Sequence, residues 1–106
     1  VATFEIADAD GDLGAIYMVP GNTEKFRANF DYFLDRGVLL TSVTVAVTDA
    51  AGASAGGAIT APDRRAAVWF VTSGGVHDIF DLTLTVTTND GQTLNYTIHY
   101  NVGGAL

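Results

Sequence analysis

The sequence predicts an all-β domain built as a two-sheet antiparallel β-sandwich. Three observations carry that expectation. Runs of alternating apolar and polar residues recur along the chain, and turn-forming residues separate them. The composition is rich in Val and Thr yet contains a single Lys, Lys25, a balance that suits pleated strands. The 106 residues are 48% hydrophobic and 16% charged, enough for one core and too few for two domains.

The elements follow in chain order. Residues 1–22 hold two short apolar runs, Phe4-Glu5-Ile6 and Ile16-Tyr17-Met18-Val19, around an acidic Gly-rich turn, and close on Pro20-Gly21-Asn22. They are expected to form an N-terminal arm or hairpin, with the sandwich over 23–102 and a short tail over 103–106. From Lys25 to Phe33, Phe26, Ala28, Phe30 and Tyr32 oppose Lys25, Arg27, Asn29 and Asp31. Asp31 to Arg36 has room for one helical turn, and no other segment has a helical period. Thr41 to Thr48 sets Val43, Val45 and Val47 on one side. The small-residue stretch that follows ends in Ala61-Pro62-Asp63-Arg64 and predicts a connection with a weak edge strand at Ala58–Thr60. Ala66 to Thr72 is a strand in which one of Trp69 and Phe70 must face away from the core.

Ser73-Gly74-Gly75 marks a turn. Ile79 to Thr88 then alternates cleanly, with Phe80, Leu82, Leu84 and Val86 opposite Asp81, Thr83, Thr85 and Thr87. Asn89-Asp90-Gly91-Gln92 is a hairpin signal. Beyond it Leu94, Tyr96, Ile98, Tyr100 and Val102 alternate with Asn95, Thr97, His99 and Asn101. The strand spacing fits a sandwich and a closed barrel alike.

Composition removes several function classes. With no Cys, the chain has no disulfide framework, thiolate metal site or cysteine nucleophile. No run approaches the ~20 apolar residues of a membrane span, and Val-Ala-Thr-Phe-Glu-Ile lacks the basic start of a signal peptide. That start implies cytoplasmic synthesis or a leader already removed. Net charge is −7, from 12 acids and 5 basic residues. Lys25, Arg27, Arg36, Arg64 and Arg65 form no stripe, so neither nucleic acid nor an anionic membrane is an expected partner.

Asp8-Ala-Asp10-Gly-Asp12-Leu-Gly14 invites a calcium reading, since hard carboxylates recur at every second position. A calcium loop of the EF-hand type starting at Asp8 needs Gly at 13 and an acid at 19, where this chain has Leu13 and Val19. The cluster is therefore expected to be a solvated acidic turn, with calcium at Asp8, Asp10 and Asp12 as the weaker alternative. His77 and His99 are expected as exposed polar side chains. Ser73, His77 and Asp78 have no nucleophile-elbow spacing, so no catalytic role is assigned. Arg64 and Arg65 can hold a carboxylate on a partner or balance local acids such as Asp63.

Phe30-Asp31-Tyr32-Phe33-Leu34, Ser42-Val43-Thr44-Val45, Val68-Trp69-Phe70-Val71-Thr72-Ser73-Gly74-Gly75 and the Thr-rich hairpin from Leu82 to Thr93 together resemble a known family. It is the small immunoglobulin-like virion proteins of tailed bacteriophages, called fibre–tail adaptors. The resemblance covers about three quarters of the chain, with Gln92 where the family usually has Arg and Val71-Thr72 lengthening the segment before Ser73. It implies an immunoglobulin-like sandwich that is not an enzyme and needs no cofactor, present in the virion and made in the host cytoplasm. It implies contacts with a capsid or tail protein, as capsid decoration or tail adaptor, in multiple copies or as a homo-oligomer. Residues 1–22 fall outside it, so Phe4, Ile6, Ile16, Tyr17 and Met18 are the expected partner-binding residues, with Arg64 and Arg65. The alternative is a carbohydrate- or cell-surface-binding module assisted by calcium.

Overall fold

The computed structural model describes residues 2–8, 10–48, 53–60, 63–74 and 79–103. Among them are eight strands and no helix: β1 Ala2–Glu5, β2 Asp10–Met18, β3 Thr23–Asn29, β4 Leu40–Thr48, β5 Ser54–Ile59, β6 Ala66–Thr72, β7 Ile79–Thr88 and β8 Thr93–Val102. They form two four-stranded sheets. Sheet one has the order β1-β3-β6-β5 and sheet two the order β2-β8-β7-β4.

Alternation builds the core, because each strand turns every second side chain to the same face. Phe26 and Ala28 from β3, Trp69 and Val71 from β6, Leu82, Leu84 and Val86 from β7 and Tyr96, Ile98 and Tyr100 from β8 are all buried. Aromatic contacts join the sheets. Tyr100 meets Phe26 edge-on at 5.4 Å and Phe30 meets Tyr96 edge-on at 5.8 Å, while within sheet two Tyr100 stacks on its cross-strand neighbour Phe80 at 5.1 Å. The Trp69 indole N–H donates to Tyr100 Oη at 3.1 Å, so the polar tips of two fully buried rings satisfy each other. Trp69 is thus the core residue of its pair, and Phe70 points outward with 47% exposure.

The β7–β8 hairpin forms as predicted, with Thr87 opposite Thr93 and Gly91 at a φ of 93° in the turn. The expected alternation from Lys25 fails beyond Phe30. Phe33 and Leu34 donate their backbone N–H groups to Phe30 O at 3.0 and 2.9 Å, closing one turn. That turn buries Leu34 and leaves Tyr32 87% exposed. The weak edge strand expected at Ala58–Thr60 is β5, and it starts earlier, at Ser54. Gly57 allows this, since a Cβ there would sit 3.2 Å from Val43 Cγ1 and 3.3 Å from Val43 O on β4.

The N-terminal segment is paired along its length. β1 runs parallel to β3 on the edge of sheet one, and β2 runs parallel to β8 on the edge of sheet two. The two strands lie in different sheets and so make no hairpin with each other. Their register puts Phe4 on Trp69 (6.0 Å between ring centroids) and buries Ile6 and Met18.

Candidate interaction surface

The chemistry-bearing side chains fall into three places. The first is the end of the domain where residues 30–39 link the sheets. These residues have little regular structure, and two side chains hold them. Arg65, at the start of β6, donates from Nε to Asp31 Oδ1 at 2.8 Å, from Nη2 to Asp31 O and Leu34 O at 3.0 and 2.9 Å, and from Nη1 to Val38 O at 2.9 Å and Asp35 O at 3.3 Å. A planar guanidinium with five fixed donors suits such a set of carbonyls, as an ammonium would not. From sheet two, Asn89 donates Nδ2 to Gly37 O and accepts from Leu39 N, while its own backbone N–H donates to Leu39 O. The loop is therefore held from both sheets, and it presents Tyr32 to solvent.

Of the two roles expected for Arg65, the structure shows the balancing of a local acid, with Asp31 as that acid. Its guanidinium is spent on the loop and is not free for a partner's carboxylate. Arg64 remains exposed, at a φ of 53° that is uncommon for a side chain with a Cβ. Its backbone joins the corner, donating to Thr60 O and accepting from Leu40 N.

The second place is the outer face of sheet two. His99 Nδ1 lies 2.7 Å from Asp81 Oδ1 and its Nε2 lies 2.5 Å from Asp12 Oδ2. Each ring nitrogen faces a carboxylate, so the imidazole makes both bonds only with both nitrogens protonated. Accordingly the Asp12 and Asp81 carboxylates raise the His99 pKa above 6.5, and His99 together with the Gly14 N–H lowers that of Asp12. The triad ties edge strand β2 to β8 and β7. Gly14, at a φ of 100°, supplies the irregularity between Asp12 and Ala15 that keeps β2 in register.

The third place is the link between β1 and β2. A small open cavity of about 200 Å³ lies there among Glu5, Ile6, Asp8, Asp10, Asp12 and Tyr96. It is smaller than the ~300 Å³ at which ligand pockets begin. Tyr96 Oη donates to Asp8 O at 2.6 Å, and burial together with Asp10 and Asp8 pushes the phenol pKa far up. Asp8, Asp10 and Asp12 do not converge: among the described residues no group of three His, Asp or Glu is placed to hold a metal. Asp12 is turned instead to His99 and to the Gly14 N–H.

The remaining predicted residues divide by burial. Ile6 and Met18 are 2% and 3% exposed, core side chains unavailable to a partner. Phe4 and Ile16 are half-buried against the core, and only Tyr17, at 71%, is open. Ser73 is buried and donates its hydroxyl to Val19 O at 2.7 Å, a structural bond. His77 and Asp78 lie outside the described residues.

Comparison with known proteins adds the decisive observation. The sequence profile described as Podophage GP4 fiber-tail adaptor protein gp77 matches residues 18–100, most of the chain and every strand from β3 to β7. The chain belongs to this family. It is a family of phage tail adaptors whose role is structural. No curated protein matches the sequence. Among solved structures, "Solution Structure of Amebosin" is similar at a TM-score of 0.44 and 12% identity, over 88% of this chain and 97% of that one.

Proposed function

We propose that the chain is a structural component of a phage virion, made in the host cytoplasm, that joins tail and fibre proteins through protein–protein contacts. The observation that carries this is the family match across residues 18–100. The loop at 30–39 supports it: a side chain as large as Tyr32, held out on a braced loop, suits a partner's pocket at low entropic cost. We also read the fold as immunoglobulin-like. The supporting feature is the strand order, with the first long strand β2 parallel to the last strand β8; the parallel β1–β3 pair is a variation on it. The carbohydrate-binding alternative has no comparable support, since Trp69 is fully buried and the Asp8–Asp12 acids do not converge.

A photo-crosslinking residue at position 32 in assembled virions tests the role. Adducts with a tail or fibre protein are expected, and Tyr32→Ala should release the fibre while leaving the melting temperature unchanged. Adducts with the capsid protein alone would instead make the chain a capsid decoration protein. Absence of the chain from purified virions would overturn both.

A further inference from the structure

The two outer faces of the sandwich carry opposite charge. On sheet one the register lines up Lys25–Phe70–Gly56 and Thr3–Arg27–Val68–Ala58 across the strands. Lys25 and Arg27 make no ion pair among the described residues, and the sole acid there, Glu5, sits on the edge strand beside Asn29. On sheet two the rows are Asp10–Asn95–Thr85–Thr44, Asp12–Thr97–Thr83–Ala46 and Ala15–His99–Asp81–Thr48. Three acids stand on that face with neither Lys nor Arg, and His99, held between two of them, is its one basic group among the described residues. Both faces also expose apolar side chains. Phe70 is 47% exposed on sheet one, and Tyr17 and Ile79, at 71% and 66%, flank Asn101 on sheet two.

We infer that the sheet-one face of one copy of this chain docks on the sheet-two face of the next. The charges assign the occupant, because a cationic aromatic surface and an anionic one are present on the same molecule and like faces would repel. Such a contact is heterologous: a pair as a whole still offers one free face of each kind, so association continues past the dimer. Seven-residue strands spaced at ~4.8 Å give each face a footprint of about 450 Å², hence about 900 Å² for the pair. That is the low end of specific interfaces, so the contact is weak in isolation and sensitive to salt. The inference rests on the distribution of charge and stands whether or not the partner is a fibre.

Sedimentation velocity of the full chain tests it, from about 10 µM to about 1 mM at low salt, the range in which an interface this small dissociates. Concentration-dependent growth beyond dimer is expected, weakened about tenfold or more by molar salt. Lys25→Glu with Arg27→Glu should abolish it, as should Asp10→Lys with Asn101→Lys on the other face. Mixing the two variants should restore a 1:1 complex, since each retains one native face. If either pair fails to fold by circular dichroism, Phe70→Ser and Tyr17→Ser replace it as face variants. A wild type that stays monomeric overturns the inference. So does growth that survives both face variants, or loss in only one of them without recovery on mixing.

Discussion

Replacing Tyr100 by Phe isolates one hydrogen bond at the centre of the molecule. Trp69 and Tyr100 are both 0% exposed, and the indole N–H has the phenol oxygen 3.1 Å away as its acceptor. Phe keeps the ring, and with it the stack on Phe80 and the edge contact to Phe26. The substitution therefore removes no packing and opens only a hydroxyl-sized gap. What remains is a buried donor with no acceptor, which costs about 1–3 kcal/mol. Part of that is returned because a phenol oxygen no longer has to be desolvated. A net loss of about 1–2 kcal/mol follows, and at this chain length each kcal/mol lowers the melting temperature by about 4–8 °C.

Urea denaturation followed by tryptophan fluorescence measures this directly, because the fluorophore is the orphaned donor. The unfolding midpoint should fall while the slope stays constant. A double-mutant cycle with Trp69→Phe, followed by circular dichroism because Trp69 is the single tryptophan, adds a second measurement. Trp69→Phe alone should cost more, since it leaves a cavity as well as an unpaired hydroxyl. The double variant should be less destabilised than the sum of the singles by about 1 kcal/mol, the coupling of the lost bond. A neutral or stabilising Tyr100→Phe with no coupling would refute the argument: the indole would then have another acceptor, and the sheets would not close as described.

Three further outcomes follow from the same geometry. Ile6→Ala should cost about 2–4 kcal/mol by denaturant titration, since Ile6 is 2% exposed in the core; an effect below about 0.5 kcal/mol would show that the N-terminal strands are not docked. Arg65→Lys should lower stability and speed proteolysis within residues 30–39, because one ammonium cannot serve the acceptors now shared by three guanidinium nitrogens. The folded-state pKa of His99 is raised, so its contribution is fully present below its unfolded value of 6.5 and is lost as pH rises through the folded pKa. NMR titration should place the His99 ring above 6.5, His99→Gln should remove that loss of stability with pH, and a ring titrating at or below 6.5 would disprove the bridge.

How much of this was legible in the sequence depended on the range of the interactions involved. The β7–β8 hairpin was readable because alternation and an Asp-Gly turn are local signals, and both survive in the structure. The same hairpin held a signal that sequence reasoning missed. Asp81 and His99 are equidistant from Asp90, so counting outward from the turn pairs them across the ladder. Asp12, the other half of the triad, comes from the far end of the chain, and no local pattern brings it there. Arg65 shows the same limit. Its position after Asp63-Arg64 suggested a surface cation, and only the fold brings four carbonyls of the loop at 30–39 around it. Tyr32 was misplaced because the alternation before Phe30 ran on unbroken in the sequence while the backbone turned. Choosing between Trp69 and Phe70 likewise needed the partner strands, since each alternating strand offers two faces and the core takes one.

The N-terminal segment changes the functional argument most. The family match begins at residue 18, so β1 and most of β2 lie outside the matched region. The segment nevertheless buries Ile6, just beyond β1, and packs Phe4 and Ile16 against the core, while β1 and β2 cover the edges of β3 and β8. An uncovered edge is a template for unwanted pairing, and the covering strands are themselves poor templates. β1 is only four residues long, and β2 carries acids and an irregularity at Gly14. β2 also supplies Asp10, Asp12 and Tyr17, two of the three acids and one of the two exposed apolar side chains of the sheet-two face. The surface on which another copy is inferred to dock therefore takes two of its three acids from residues beyond the family's matched region. Specificity for self over a common partner would then reside in the N-terminal strands, apart from the loop around Tyr32 that is proposed to meet the tail or fibre partner.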